Sequence, residues 1–134
     1  MQIKIDNFDL APEIRGYRPV SNLRVNGSRV IQTVGGLRKE DVEHFDRFNK
    51  ETVLTFDTVR EHATIEDAMA FAVMHQVDLP TQGLVILTMQ YGAKTVRRWL
   101  SNAVIPNFTA FAAGITTYHS YEIRGGAMLT AAPA

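Results

Sequence analysis

The chain has 134 residues, of which 46% are hydrophobic and 21% are charged, so its size and composition fit one globular domain and exclude a disordered chain. Its 14 basic and 14 acidic residues balance, which excludes the strong positive field that attracts nucleic acid or an anionic membrane. The chain contains no cysteine, which excludes disulfides, thiolate nucleophiles and cysteine-based metal sites.

No segment of the sequence has the character of a membrane span or a signal peptide. No apolar run approaches the roughly 18 residues that cross a bilayer. Residues 1–6 also lack the apolar core of a signal peptide. We therefore expect a chain that has no membrane segment and is made in the cytoplasm.

Residues 1–22 are predicted to form an extended N-terminal arm, followed by a single β-sandwich domain at residues 23–134. Residues 1–5 alternate between apolar and polar side chains, as a short strand does. Beyond them, apolar side chains recur among turn-forming residues such as Pro12 and Gly16, so no regular element continues. Such a segment lies along another surface, either that of its own domain or that of a neighbouring copy.

Asn26 and Gly27 lie between two β-branched runs within residues 23–34. An Asn-Gly pair in this setting is the strongest short-range signal of a hairpin, because a type I′ turn needs positive φ at both central residues. We therefore predict a hairpin turn at this pair. The charged residues 37–46 that follow are compatible with either a short helix or a charged strand.

Residues 51–60 alternate in polarity and are predicted to form a strand. Leu54, Phe56 and Thr58 fall on one face of that strand. The residues 84–91, which are apolar on both faces at first, predict a central strand that is covered by the helix. Further strands are predicted at residues 94–100, 108–115 and 116–124, with a bend at residues 101–107.

A helix is predicted at about residues 64–78. Thr64 is a good N-cap, because its hydroxyl can accept a hydrogen bond from the amide of Asp67. Pro80 ends the helix, because proline disfavours the helical conformation in the residue before it. An apolar stripe with spacings of three and four comprises Ile65, Ala68, Met69, Phe71, Ala72 and His75. We interpret this helix as a structural support for the sheet.

The pattern as a whole predicts a mainly β (α+β) fold. Short strands separated by Gly, Asn and Pro favour an antiparallel β-sandwich or an open barrel of about seven strands. The one predicted α-helix, at about residues 64–78, flanks the sheet.

Four histidines are the candidate metal ligands: His44, His62, His75 and His119. A helical spacing would place His62 and His75 roughly 18 Å apart, which is too far to share one ion. The other two histidines fall on separate predicted elements, and no His-Glu-x-x-His pattern occurs. We predict no metal site and no cofactor.

No residue pattern in the chain indicates a catalytic site. Ser101, beside Asn102, lacks both the Gly-x-Ser-x-Gly motif and a base at a defined spacing. Arg97 and Arg98 beside Trp99 suggest a nucleic-acid contact, but adjacent strand residues point to opposite faces, so at most one of these arginines belongs to a given surface. We predict that no residue is catalytic and that the protein is not an enzyme.

Five features of the chain carry a resemblance to a known family. In chain order they are Arg60-Glu-His-Ala-Thr after a strand, a single helix ending in His75-Gln-Val-Asp-Leu-Pro80, a Gly-led apolar strand, Leu100-Ser-Asn-Ala-Val-Ile, and Tyr121-Glu-Ile-Arg-Gly-Gly. This order resembles the tail-tube superfamily of long-tailed bacteriophages, which includes tail-tube, distal-tail and tail-terminator proteins. The resemblance covers residues 50–126.

The resemblance implies a virion structural protein of the tail. Members of the family form homo-oligomeric rings, commonly hexameric, that contact neighbouring tail proteins and let DNA pass without specific binding. On this basis residues 1–22 would contact the neighbouring subunit, and residues 36–51 would contact the next ring. The sequence shows no evident long hairpin, so the roles of tube, distal-tail and terminator protein stay open.

Two other functions are open alternatives. A small carbohydrate- or ligand-binding β-sandwich would present an exposed aromatic platform, for which the candidates are Tyr17, Tyr91, Trp99, Tyr118 and Tyr121. A small hydrolase would use converging carboxylates, for which the candidates are Asp57, Glu61 and Glu122. Each alternative requires that its residues meet on one surface of the fold.

Overall fold

The computed structural model describes residues 1–35 and 42–133, and the side chains of these residues outside 28–50. In this part of the chain, eight strands form one connected antiparallel sheet with a helix packed against it. The fold is mainly β with one flanking helix, as predicted, and the sheet does not close into a barrel.

The strands follow one another in a largely meandering order. In chain order the elements are β1 (Gln2–Ile5), β2 (Phe8–Asp9), β3 (Ser21–Gly35), β4 (Val42–Glu61), α1 (Ile65–Asp78), β5 (Gln82–Tyr91), β6 (Lys94–Ala113), β7 (Thr116–Gly125) and β8 (Met128–Leu129). The strands pair in the order β2-β1-β5-β6-β7-β4-β3, and β8 lies beside β6. The sheet therefore has β2 and β3 at its two ends.

Strand β6 belongs to both layers of the sandwich. Its residues 94–104 pair with β5, whereas its residues 104–113 pair with β7. The register shifts around Pro106, which has no N–H to donate to a ladder. The predicted bend at residues 101–107 is therefore a corner within one long strand, and the two strands predicted on either side of it are one.

The inner faces of the two layers form the core. The short sheet (β1, β2, β5, β8 and residues 94–104 of β6) contributes Ile3, Ile5, Val85, Leu87 and Leu100. The long sheet (β3, β4, β7 and residues 104–113 of β6) contributes Leu54, Phe56, Tyr121 and Ile123. The predicted common face of Leu54, Phe56 and Thr58 is confirmed, and it points into the core, since all three are at most 1% exposed.

The first residues of the chain belong to the sandwich itself. Strand β1 pairs with β5, and the side chains of Ile3 and Ile5 are fully buried. Residues 11–20 then form neither a helix nor a continuous strand. The predicted extended arm at residues 1–22 therefore begins with a buried strand, because its alternating isoleucines fill the core of the short sheet.

The predicted turn at Asn26 and Gly27 is wrong. Both residues lie within β3, where they pair with Val53 and Thr52 of β4, and neither has the positive φ of a type I′ turn. The dipeptide signals a hairpin only when the runs on either side of it pair with each other. Here both runs belong to one strand, and both pair with β4.

Strands β3 and β4 extend beyond the rest of the long sheet as a two-stranded projection. Strand β7 ends opposite Thr52, so residues 28–35 of β3 and residues 42–51 of β4 have only each other as strand partners in the described part of the chain. The eight residues 28–35 span roughly 26 Å along the strand. We refer to these two segments as the projection.

The projection contains most of the predicted inter-ring loop. Residues 42–51 of that loop form a strand, whereas residues 36–41 lie outside the described residues. The alternative between a helix and a charged strand at residues 37–46 is resolved in favour of a strand for residues 42–46.

Helix α1 begins at the predicted cap. The hydroxyl of Thr64 accepts a hydrogen bond from the N–H of Asp67 over 3.1 Å. The helix ends before Leu79, whose backbone is extended ahead of Pro80. Both predicted ends are confirmed, because each depends on local backbone chemistry.

The predicted apolar stripe of α1 is only partly buried. Ala68 and His75 are buried against the long sheet, and Phe71 is half-buried beside them. Ile65 and Met69 of the stripe are each 58% exposed. The helix packs on β6 and β7, so the prediction that it covers the strand at residues 84–91 is wrong. The aromatic contacts of Phe71 and His75 fix the rotation of the helix and leave its other apolar side chains in solvent.

Candidate functional site

The outer face of the long sheet is lined by polar side chains. Asp57 of β4 lies beside Ser120 of β7, which in turn lies beside Thr109 of β6. A second polar row, two residues further along, comprises Thr55, Glu122 and Asn107. Together with Asn22 and Arg24 of β3, these side chains line an open trough of about 620 Å³. We refer to this surface as the polar trough.

Asp57 is held by donors on the two neighbouring strands. The amide of Asn22 and the hydroxyl of Ser120 each donate a hydrogen bond to it over 2.7 Å, one to each carboxylate oxygen. The carboxylate therefore links three adjacent strands across the outer face. Because both of its oxygens already accept protein donors, we interpret Asp57 as a structural acceptor.

Glu122 has a similar environment. The amide of Asn107 and the guanidinium of Arg124 donate to its two carboxylate oxygens. These hydrogen bonds stabilise the charged form and lower the pKa of Glu122, with the larger contribution from the amide. Glu61 lies four residues from Asp57 along β4, which is about 13 Å. The three carboxylates predicted for a hydrolase therefore do not meet.

The aromatic residues predicted for a ligand platform lie on different surfaces. Tyr121 is buried in the core, and Trp99 lies on the short sheet opposite Ile86. Tyr91 is 80% exposed at the end of β5. Tyr118 lies on the long sheet, where it stacks on a phenylalanine of β6 with ring centroids 4.9 Å apart. These positions do not form one flat surface on which a sugar ring can stack.

A hydrogen-bonded chain of histidines and threonines lies between α1 and the long sheet. Nδ1 of His119 is 2.8 Å from the hydroxyl of Thr58, and its Nε2 is 2.8 Å from the hydroxyl of Thr117. The same Thr117 hydroxyl is 2.9 Å from Nε2 of His62. The side-chain partners in this chain are neutral hydroxyl groups, and no carboxylate hydrogen-bonds to these rings in the described part of the chain.

The third histidine of this group, His75, projects from α1. Its Nε2 is 2.6 Å from the hydroxyl of Tyr121, and its ring stacks on Phe71 with centroids 4.7 Å apart. The ring of His62 lies 5.0 Å from the same Phe71 ring. The predicted distance between His62 and His75 assumed that both lie on one helix, and it is wrong. His62 precedes the first helical residue, Ile65, and both histidine rings contact Phe71. We refer to His62, His75 and His119 as the histidine cluster.

A permanent positive charge lies beside the histidine cluster. The guanidinium carbon of Arg60 is 5.0 Å from the centroid of the Tyr17 ring and 4.9 Å from that of Phe71. Contacts of this kind attract a cation to the face of an aromatic ring. Arg60 therefore joins the surface segment at residues 11–20 to α1 while repelling any proton that binds to the histidines.

The pKa values of all three histidines are lowered. Burial, which disfavours the charged ring, is the largest cause in each case, and the charge of Arg60 adds to it. The carboxylates of Asp78 at His75 and of Asp67 at His62 oppose this lowering without reversing it. The pKa of His119 is lowered to about 4, by burial and then by the neighbouring His75 and His62. The cluster is therefore neutral at pH 7. Its location could be anticipated in part, because His119 alternates with Thr117 and Tyr121 on one face of the last long strand.

The candidate metal ligands do not form a metal site in the described side chains. No group of three or more His, Cys, Asp or Glu residues in that part of the chain is arranged to hold an ion. His44 lies among the residues whose side chains are not described.

The remaining sequence candidates lie around the corner of β6. The carbonyl of Ser101 accepts a hydrogen bond from Gly126 over 3.3 Å, and Asn102 has a φ of 51°, so both residues shape the corner. Arg97 pairs with Thr88 and Arg98 with Leu87, which places the two arginines on opposite faces of the short sheet, as predicted.

The long sheet has two edges without a strand partner in the described part of the chain. Strand β3 is last in the strand order, and residues 105–113 of β6 pair on one side only, with β7. Val25 at the first edge and Phe111 at the second are 51% and 55% exposed. Open edges present unpaired N–H and C=O groups that another strand can bind.

The outward face of α1 is apolar. Five side chains on this face are between 58% and 84% exposed: Ile65, Met69, Val73, Met74 and Val77. A helix that is apolar on nearly all sides is expected to be covered on nearly all sides. A contiguous exposed apolar patch of this kind marks an interaction surface.

Comparison with known proteins gives no relative from which to assign a function. The sequence matches no protein-family model and no curated protein. Among the described residues, α1 is the longest helix, and no helix there has the length and apolar character needed to cross a membrane.

Proposed function

We propose that this protein is a structural component of a long-tailed bacteriophage virion, in which identical copies form a ring or tube in the tail and DNA passes through it. The observation that carries the proposal is the long sheet, which has two open edges, a buried inner face and a polar outer face. The resemblance of the sequence to the tail-tube superfamily supports the same function.

In this proposal the two open edges of the long sheet pair between neighbouring copies. The edge strand β3 of one copy binds residues 105–113 of the next copy, so the sheet continues from subunit to subunit. Because the two edges differ, the contact is heterologous, and it closes into a ring when the rotation between copies fits. Ring closure would cover both edges of every copy, and a hexamer is the stoichiometry that the resemblance implies.

The polar trough then faces the channel of the ring. Its neighbourhood combines the acidic side chains of Glu51, Asp57 and Glu122 with the basic side chains of Arg24 and Arg124. Phosphate binding depends on an excess of basic groups, which this surface does not have. DNA therefore passes along the channel without being held.

The projection extends from the plane of each ring and contacts the adjacent ring. Its two segments, residues 28–35 and 42–51, reach roughly 26 Å beyond the end of β7. Such a contact is repeated in every subunit, so many weak interfaces add to a stable stack. Within the tail, this feature favours a tube protein over a terminator, which ends a stack.

A pair of proline variants tests the edge contact. In an antiparallel ladder, successive residues of an edge strand direct their N–H groups to opposite sides. One of the neighbouring residues Val25 and Asn26 therefore directs its N–H to β4 and the other directs it to the open edge. We expect Val25→Pro and Asn26→Pro to differ: one destabilises the fold, and the other stays folded but no longer forms rings.

Thermal unfolding and multi-angle light scattering measure the two effects. The proline variant that keeps its melting temperature is expected to lose at least about tenfold in self-association, because it removes a ladder hydrogen bond and blocks close approach of the next strand. A folded proline variant that still forms rings would show that β3 does not pair between copies.

A further inference from the structure

The charged residues of α1 itself, which carries the exposed apolar face, are all acidic. Residues 65–78 contain three charged side chains, Glu66, Asp67 and Asp78, and no lysine or arginine. Glu66, Asp67 and Asp78 are exposed, as are the five apolar side chains beside them. A partner for this face therefore needs apolar side chains bordered by basic ones.

A second surface of the same chain has this character. Residues 14–25 contain no acidic residue, and two of their arginines, Arg15 and Arg18, lie outside the polar trough. Both arginines are exposed, and so are the apolar side chains of the segment at positions 14, 23 and 25, which are 55%, 38% and 51% exposed. We refer to residues 14–25 as the basic strip.

We infer that α1 of one copy docks on the basic strip of a second copy. The inference rests on the proposed function in one respect, namely that the partner is another subunit of the same assembly. The two surfaces match in chemistry. The helix carries three carboxylates, the strip carries the guanidinium groups of Arg15 and Arg18, and both carry exposed apolar side chains. Charge complementarity of this kind sets which surfaces associate and suppresses other pairings.

The alternative in which two α1 helices pack on each other is disfavoured by their charges. In an antiparallel pair, Glu66 and Asp67 of one helix would lie near Asp78 of the other. Like charges at such an interface are repulsive. The contact between unlike surfaces is also the kind that a ring requires.

The basic strip does not cover α1 of its own copy. The two segments are neighbours, since Arg60 contacts both Tyr17 of the strip and Phe71 of the helix. Nevertheless Ile14 and Val73 remain 55% and 75% exposed within one copy. Their apolar surface is therefore free for a second copy.

Cysteine cross-linking tests the contact without interference, because the chain contains no cysteine. Val73→Cys and Ile14→Cys are placed in two copies that carry different tags and are co-expressed. Mild oxidation is expected to give a disulfide-linked dimer that contains both tags. Tyr91→Cys, which is 80% exposed at the turn after β5, is the matched control for Ile14→Cys. Equal yields with Tyr91→Cys, or a yield no higher than that of either single variant alone, would overturn the inference.

Charge reversal gives an independent test. Glu66→Lys with Asp78→Lys, and separately Arg15→Glu with Arg18→Glu, are each expected to weaken self-association about tenfold or more. A mixture of the two variants is expected to recover most of the loss, whereas Arg97→Glu on the short sheet is expected to have little effect. Failure of the mixture to recover assembly, with both variants folded by circular dichroism, would contradict the inference.

The two tests separate this inference from the proposed function. Rings of the unmodified protein that are insensitive to both charge reversals would refute docking of α1 while leaving the ring itself in place. A protein that stays monomeric at every concentration would refute the ring, and with it the docking.

Discussion

Lowering the pH from 7 to 5 is expected to destabilise the folded protein by about 2 kcal/mol through His119 alone, and by about 3 kcal/mol at pH 4. The pKa of His119 is lowered to about 4 in the folded state by burial and by the neighbouring histidines. In the unfolded chain it returns to about 6.5, so the unfolded state binds the proton first. The stabilisation contributed by the neutral ring of His119 is therefore complete above about pH 6.5 and is lost as the pH falls toward 4.

The other two members of the histidine cluster act in the same direction. The pKa values of His62 and His75 are also lowered by burial, and each proton added to the cluster meets the charge of Arg60. No carboxylate hydrogen-bonds to these rings in the described structure. We therefore expect the contact between α1 and the long sheet to loosen first in acid.

Urea unfolding at pH 7, 6 and 5 measures this effect in the range where histidines titrate and most carboxylates do not. The variant His119→Gln keeps polar groups near both threonines but cannot be protonated in this range. It is expected to be less stable than the wild type at pH 7 and to lose about 2 kcal/mol less between pH 7 and 5. An unchanged pH dependence in this variant would show that His119 is not the buried titrating group.

Replacing residues 29–50 with an Asn-Gly turn is expected to leave the subunit folded and able to form rings, while preventing the rings from stacking. Ser28 and Glu51 are direct partners in the ladder, so a two-residue turn can join them. The core side chains identified in the two sheets all lie outside the deleted residues. The shortened chain is therefore expected to lose the contact between rings and to keep its fold.

Electron microscopy and thermal unfolding measure the two halves of this prediction. The melting temperature is expected to change by less than about 5 °C, whereas tubes are replaced by single rings. The matched control is an Asn-Gly replacement at Gly92 and Ala93, which form the two-residue turn between β5 and β6. Tubes of normal length from the shortened chain would show that the projection makes no contact between rings.

The parts of the fold that depend on local chemistry could be predicted from the sequence. The cap at Thr64 and the stop at Pro80 gave both ends of α1, because each acts through the backbone within a few residues. The alternation of apolar and polar residues around Leu54 and Phe56 showed which side chains of β4 share a face, because successive side chains of a strand point to opposite faces.

The parts that depend on pairing between distant segments could not be predicted. Asn26 and Gly27 pair with residues 52–53 because β4 needs a second neighbour besides β7, and this requirement is absent from the local sequence. The long hairpin of the projection was missed for the same reason. Pro106 indicated a break in β6, but only the change of partner from β5 to β7 makes that break a corner.

The sequence indicated which residues share a face in the polar trough, but it did not indicate how they align across neighbouring strands. Alternation in residues 116–124 indicates that Ser120 and Glu122 share a face, but their alignment with Asp57 and Thr55 depends on the register between β4 and β7. The separation of Glu61 from Asp57 instead follows from their spacing of four residues along one strand. The histidine cluster likewise forms from three separate elements and depends on how α1 returns to the sheet.

The most direct test of the proposal is the shape and mass of the purified protein, measured by electron microscopy together with light scattering over a range of concentrations. We predict closed rings or stacked rings with a central channel and a mass that is an integral multiple of the 15.0 kDa subunit. A uniform population of 15.0 kDa monomers at every concentration would contradict the proposal, because the two edges of the long sheet would then have no partner in solution.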